Sequence, residues 1–181
     1  MAQLLPGLPP HRTVVLIDTC SIIEAVRTGL WSRISGALHV ETVEKCRDEA
    51  LAGDTAGFGY IAVRHEDLAR LSHVHAVTQA AEDRYLAHDP NAIDMDEGER
   101  MLFAHAFARI EQGDTVWILT SSDKATMRAA IRLGVHDHLR ALEEIAAAVD
   151  ARPRTELEYQ HTTSFLGRFR AAFVLEMQRP E

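Results

Sequence analysis

The chain has 181 residues, 46% of them hydrophobic and 25% charged, which suits one ordinary globular domain with a buried core. Its net charge of −8 at pH 7 argues against a protein that coats duplex nucleic acid, because such proteins are normally basic. No apolar run approaches the roughly 18 residues that a membrane-spanning helix needs, and the proline-broken start predicts no secretory signal. With two cysteines in no metal-finger spacing, we expect a cytoplasmic protein without disulfides.

Short apolar runs alternate with segments of helical spacing along the chain. The first run, at residues 13–17, is β-branched and ends at Asp18, which predicts a buried strand followed by a helix that ends at Gly29. Further strands are predicted at 38–40, 60–63, 115–119 and 135–136, and helices at 41–52, in the second half of 65–88, and at 96–112, 123–133 and 138–149. Strands that alternate with helices predict an α/β fold with a mainly parallel central sheet.

A boundary is predicted at the Arg-Pro-Arg sequence at 152–154, which divides a domain at 1–150 from a C-terminal helical extension at 151–181. Apolar residues recur in the extension at spacings near three and four, so one face must be covered. The alternatives are packing on the same domain and packing on a second copy, and we expect a homodimer. The stripe consists of Leu157, Phe165, Leu166, Phe169, Phe173, Val174 and Met177.

Two aspartates follow predicted buried strands. In open α/β sheets the carboxyl ends of strands form the site, and an unpaired charge there is costly, so Asp18 and Asp123 are candidate ligands of a divalent cation. Each residue has an alternative role as a helix N-cap, with Ser122 as a rival cap to Asp123. The hydroxyl groups of Thr120, Ser121 and Ser122 are placed to hold water bound to such a cation.

Two glutamates extend this acidic set. Glu44 shares a face of the predicted helix 41–52 with Glu41 and Asp48, either of which is an alternative to it, and a solvated acidic face is the ordinary explanation of all three. Glu99 follows Asp96 by three residues, a spacing that also fits a capping box at the start of a helix.

The ordered set resembles the PIN-domain family. VVLIDTCSIIEA is similar to that family's first strand and acid, VETVEKCRDEA to its second motif, GERMLFAHA to its third and ILTSSDKATMRAAIRLGV to its fourth. The likeness covers residues 13–146, whereas Cys20 stands where the family often has Asn, and the extension is an addition.

The resemblance implies a three-layer α/β/α fold and a metal-dependent ribonuclease that hydrolyses RNA phosphodiester bonds. It further implies Mg²⁺ or Mn²⁺ held by Asp18, Glu44, Glu99 and Asp123, with Ser121 in a polar position of the fourth motif. Among PIN proteins the nearest functional type is the VapC-type toxin of a prokaryotic toxin–antitoxin pair, which implies an antitoxin protein as partner.

Other classes of protein are alternatives to the PIN-domain family. A haloacid-dehalogenase phosphatase needs a second aspartate where Cys20 stands, and a receiver domain needs an acidic pair near the start, so neither fits. A non-catalytic PIN-fold binding or assembly module stays open. Two histidine pairs, at 73/75 and 136/138, suggest zinc, but no third ligand is evident in the sequence.

Overall fold

The computed structural model of the chain describes residues 13–53 and 61–177, with side chains described as far as residue 172. Four parallel strands form one sheet in the order β3-β2-β1-β4. They are β1 (Val14–Ile17), β2 (His39–Val43), β3 (His73–His75) and β4 (Trp117–Thr120).

Nine helices are described around this sheet. They are α1 (Thr19–Arg27), α2 (Trp31–Ala37), α3 (Glu44–Ala52), α4 (His65–Leu68), α5 (Gln79–His88), α6 (Glu97–Glu111), α7 (Lys124–Arg132), α8 (Leu142–Ala148) and α9 (Thr163–Met177). Short 3₁₀ turns lie at Pro90–Asp94, His136–His138 and Tyr159–His161. In the described part of the chain, no helix is both long and apolar enough to span a membrane.

Both faces of the sheet are buried, as expected for a parallel sheet between helices. Side chains alternate along β1, so that Val15 and Ile17 join one core cluster while Leu16 joins the other. The first cluster packs under α1, α2 and α8, and the second under α5, α6 and α7. The predicted three-layer α/β/α architecture with a mainly parallel sheet is therefore confirmed.

Several element boundaries differ from the prediction. The strand expected at 60–63 is wrong for residues 61–63, which are irregular, while residue 60 lies outside the described part. The strand at the edge of the sheet is His73–His75 instead, and no apolar run in the sequence indicates it. The final strand expected at 135–136 is wrong, because a 3₁₀ turn begins at His136, and one isolated bridge pairs Leu119 with Leu139 instead. The helix expected from residue 41 begins at Glu44, so Glu41 lies on β2.

The C-terminal segment packs against residues of the preceding domain. The Arg154 N–H donates to the Thr28 carbonyl at 2.8 Å, and Leu157 contacts the first core cluster. Leu166 on α9 is 3% exposed and belongs to the second cluster. The side chains of Phe173, Val174 and Met177 lie outside the described residues. Packing on the same domain thus covers the first part of the apolar stripe, and the homodimer stays a prediction.

We expect Leu166→Ala to lower the free energy of unfolding by about 2–4 kcal/mol, because it removes a buried side chain that the surrounding residues cannot fully replace. Urea denaturation followed by circular dichroism measures this. Ser164→Ala is the matched control, because Ser164 is exposed on the same helix. A loss for Leu166→Ala as small as the control's, below about 0.5 kcal/mol, would contradict the packing of α9 on this domain.

Candidate metal centre

The carboxyl ends of β1 and β4 lie side by side. Ile17 is paired with Thr120, so Asp18 and Ser121 follow at neighbouring positions on one edge of the sheet. The Asp18 N–H donates to the Thr120 carbonyl at 3.3 Å, which extends the pairing by one residue. Because β1 is buried on both faces, it delivers Asp18 into a site where only 1% of its surface is exposed.

The two carboxylate oxygens of Asp18 have different environments. Oδ1 accepts the Ser21 N–H at 2.7 Å, so the residue is indeed the N-cap of α1. Oδ2 is buried and has no hydrogen-bond partner. Burial raises the pKa of Asp18 above its ordinary value, although the neighbouring Ser121 and Ser21 oppose the shift. The cap satisfies one oxygen and leaves the other available to a cation.

Asp123 is held at the same edge by a second cap. Its Oδ1 accepts the N–H groups of Ala125 at 2.6 Å and Thr126 at 2.9 Å, so Asp123 rather than Ser122 caps α7. Ser121 accepts the Asp123 N–H at 3.1 Å on Oγ, and it lies close enough to Asp18 to oppose the rise in the pKa of that carboxyl group. Ser121 therefore lies beside both aspartates.

Glu99 joins them from the first turn of α6. The expected capping box is not formed, since Asp96 makes no side-chain cap hydrogen bond. Burial, followed by the charges of Asp123 and Asp18, raises the pKa of Glu99 to about 9. A shift caused by both aspartates means that the three carboxyl groups converge, and at neutral pH one proton is retained among them.

Of these groups, Glu99 and Asp123 line a pocket of about 460 Å³, and the buried Asp18 is not among the residues of its wall. Its walls are Cys20, Asp96, Glu99, Ser122, Asp123, Lys124, Gln160 and Phe165. Among the described residues, the sets whose ligand atoms all lie within 4.8 Å of one another are elsewhere, so these carboxyl groups are spaced more widely.

The acid that α3 brings towards this site is Glu49. Its Oε2 accepts the Thr19 hydroxyl at 2.9 Å, next to Asp18, and it also abuts Gly98, where an added Cβ would lie 2.5 Å from that oxygen. Glu44 is exposed in the first turn of α3, and within the described residues it contacts none of Asp18, Glu99 and Asp123. The metal role of Glu44 stays a prediction that its position does not favour.

The two alternatives to Glu44 are also placed away from the pocket. Asp48 is exposed and pairs with Arg47, and Glu41 on β2 pairs with His75. Glu49 was missed because the helix start was misplaced. Cys46 and Ala50 are the buried positions of α3, and Glu49, three residues after Cys46, lies on their side of the helix. That spacing is the signal in the sequence that could have identified Glu49.

The extension contributes unforeseen residues to the site. Gln160 and Phe165 line the pocket, and His161 is 4% exposed beside Asp18 and Glu24. Burial lowers the pKa of His161, against the opposing charges of Asp18 and Glu24. The Glu158 N–H fastens this segment by donating to Glu24 Oε1 at 2.7 Å. Nothing in the spacing of residues 155–165 indicates that they reach the acidic site.

We expect the metal-free protein to lose stability as pH rises from about 4.5 to about 9. The pKa of Glu99 is raised from 4.5 to about 9 by folding, so over this interval the native state holds a proton that the unfolded state has released. Glu99→Gln should make the stability less dependent on pH. Glu97→Gln, a substitution of a neighbouring exposed residue, should leave the pH dependence of the wild type unchanged. Melting temperatures in chelator at about pH 5, 7 and 9 measure the effect; equal slopes for wild type and Glu99→Gln would contradict it.

Comparison with models of known protein families finds no match to this chain, and comparison with curated proteins finds none either. The geometry of the acidic pocket, together with the motifs of the sequence, is therefore the basis on which a function is argued.

Proposed function

We propose that the protein is a metal-dependent ribonuclease of the PIN type, which hydrolyses RNA phosphodiester bonds at the pocket between β1, β4 and α6. The observation that carries this proposal is the buried, unpartnered Oδ2 of Asp18, set beside Glu99 and Asp123. An unsatisfied buried carboxylate oxygen costs stability unless a ligand binds it. A retained carboxyl proton in a cleft is further support, because strongly shifted pKa values cluster at functional sites.

The donor set fits a hard divalent cation. Carboxylate and hydroxyl oxygens suit Mg²⁺ or Mn²⁺ rather than zinc, whose sites are rich in nitrogen and sulfur. When bound, the cation supplies positive charge against the phosphate and promotes ionisation of the attacking water. In this proposal Asp18 and Asp123 hold the cation directly, Glu99 releases its proton to accommodate it, and Ser121 positions Asp123 by accepting its N–H.

Glu49 has a supporting position in the proposal. Its hydrogen bond to Thr19 orients the first turn of α1, which begins at the Asp18 cap. Gly98 permits the close approach of α3 and α6, because any larger residue would displace the Glu49 carboxylate. The amino end of α6, and with it Glu99, is thereby placed against the pocket.

Single-stranded or looped RNA is the substrate that the charge favours. A net charge of −8 does not supply the dense phosphate contacts of tight duplex binding, and sequence-selective proteins usually read unpaired RNA bases. Lys124 lines the pocket, and Arg128 is exposed one turn further along α7. In this proposal Lys124 and Arg128 contact phosphates of the bound RNA.

A second candidate is a non-catalytic binding or assembly module. It is favoured by the extension, since Gln160 and Phe165 wall the pocket and narrow access to the acids. For the ribonuclease, the resemblance to VapC-type proteins supports a finer proposal, the toxin of a toxin–antitoxin pair. Inhibition of RNA cleavage by the product of a neighbouring gene would test that finer proposal.

We expect Asp18→Asn and Asp123→Asn each to reduce metal-dependent RNA cleavage at least about a hundredfold, because electrostatic stabilisation by a metal is worth several kcal/mol. Neither change should lower the melting temperature in chelator, since neutralising one of several converging carboxylates relieves repulsion. Cleavage of a labelled RNA hairpin with Mg²⁺ or Mn²⁺ gives the rates. Asp94→Asn, an exposed change outside the pocket, is the matched control.

The same RNA cleavage assay distinguishes the ribonuclease from the non-catalytic module. Glu49→Gln and Glu44→Gln compare the two acids of α3, and we expect the larger loss from Glu49→Gln. Cleavage that survives Asp18→Asn would come from a contaminant and would remove the support for a nuclease. A wild type that is stabilised by Mn²⁺ but cleaves no RNA would favour the non-catalytic module.

We expect the pair Lys124→Ala and Arg128→Ala to raise the KM for single-stranded RNA several-fold with little change in kcat. Loss of two phosphate contacts should reduce the slope of log affinity against log salt by about 0.7 for each contact. Binding measured with Asp123→Asn as the inactive background, over a range of salt, provides this slope. An unchanged slope would place the RNA elsewhere on the surface.

A further inference from the structure

A second cluster of ionisable side chains lies under the sheet, apart from the acidic pocket. Glu41 on β2 is paired in register with His73 on β3, and Val43 with His75, so Glu41, His73 and His75 are on one face. Val43 belongs to the core cluster that includes α6, and His105 of α6 meets the histidines on this face. None of these residues lines the acidic pocket.

The cluster brings three ligand groups together. His75 Nε2 lies 2.8 Å from Glu41 Oε2, and the rings of His75 and His105 have centroids 3.9 Å apart. The ligand atoms of Glu41, His75 and His105 all lie within 4.8 Å of one another. Zinc bonds of about 2.0–2.1 Å require a closer set, which rotation of the imidazole rings provides because that torsion is soft. His73 stands next to them, with its ring 4.3 Å from that of His75.

The cluster is incomplete as it stands. His105 Nε2 is buried without a hydrogen-bond partner, as is Arg109 Nε one turn along α6. Buried polar atoms are almost always satisfied, so an unpartnered imidazole nitrogen beside the Glu41 carboxylate, whose side chain is 15% exposed, indicates a missing ligand.

We propose that Glu41, His75 and His105 form a binding site for a zinc-class transition-metal ion, with water or His73 as a fourth ligand. Two imidazole nitrogens and one carboxylate oxygen are a common zinc donor set, whereas Mg²⁺ and Ca²⁺ prefer oxygen ligands alone. The ion would tie β2 and β3, at the edge of the sheet, to the middle of α6. The sequence indicates the histidine pair 73/75, and the fold brings Glu41 and His105 next to it.

Arg109 competes with the ion for the Glu41 carboxylate. Its Nη1 lies 3.3 Å from the same Glu41 oxygen, while its Nη2 is 2.7 Å from Asp114. When the ion takes Glu41, Arg109 keeps its pair with Asp114, so its charge remains compensated. Because Arg109 and the ion share one Glu41 oxygen, we expect Arg109→Gln to bind the ion more tightly.

The test titrates metal-stripped full-length protein with Zn²⁺ by calorimetry and with Co²⁺ by visible absorption. His75→Asn and His105→Gln remove one ligand each. His39→Asn is the matched control, because His39 is exposed on β2. Asp18→Asn reports whether the acidic pocket takes the ion instead, so this proposal and the proposed ribonuclease can fail independently.

We expect one equivalent of Zn²⁺ to bind, with affinity at least about tenfold weaker in His75→Asn and His105→Gln and unchanged in His39→Asn and Asp18→Asn. In the wild type, one equivalent of Co²⁺ should shift the imidazole NMR signals of His75 and His105, a readout that needs no variant to fold. Undisturbed signals of these two histidines would overturn the proposal, as would Zn²⁺ affinity that Asp18→Asn abolishes or that both ligand variants retain.

Discussion

Burial of the Asp18 carboxylate at the end of β1 is the constraint on which the rest of the site depends. The strand is covered on both faces, so its C-terminal residue enters a region from which water is excluded. A charge in that place needs compensation, and within residues 13–53 and 61–177 a hydrogen bond reaches Oδ1, from the Ser21 N–H, while Oδ2 has none. The other elements then converge on the same point, with Ser121 from the end of β4 and Glu99 from the first turn of α6. The unpartnered Oδ2 is a local cost to stability, because a buried carboxylate oxygen without a hydrogen-bond partner has lost its water.

The C-terminal segment compensates part of the buried negative charge of Asp18. His161 lies beside Asp18 and Glu24, while Arg27 forms two hydrogen bonds with the Glu24 carboxylate at 2.6 and 2.7 Å. Burial alone would raise the pKa of Glu24, but its hydrogen bonds with Arg27 and the Glu158 N–H lower it. The segment therefore both shields Asp18 from water and fastens itself through a neighbouring acid. A change in its position would alter the exposure of the acidic pocket, so the extension and the site are physically coupled.

The sequence was informative where one physical signal dominated. Buried apolar runs located β1 and β4, and the aspartates that follow them cap α1 and α7 as expected. Prediction failed where pairing partners decide the structure. β3 has three residues of mixed polarity. It forms because the backbone of β2 is available to pair with it, and no local sequence pattern reveals that pairing. The start of α3 was misplaced by three residues, which moved Glu41 from a strand to a helix and drew attention to Glu44 instead of Glu49. An error in one boundary thus changed which acids of β2 and α3 were assigned to the acidic pocket.

The helix α6 connects the two sites. Glu99 lies in its first turn and His105 six residues later, a separation of about 9 Å along the axis at 1.5 Å per residue. The helix also bears Arg100, which pairs with the buried Glu82 of α5, so its rotation about its own axis is fixed by polar contacts as well as by the core. The direction of Glu99 depends on that rotation, because a turn of the helix would swing its carboxyl group away from Asp123. An ion bound to His105 would restrain the same rotation through β2 and β3. The oxygen-rich and the nitrogen-containing sites would therefore not be independent: occupancy of the second would restrict the positions open to the proton-bearing acid of the first, without any contact between the two ions.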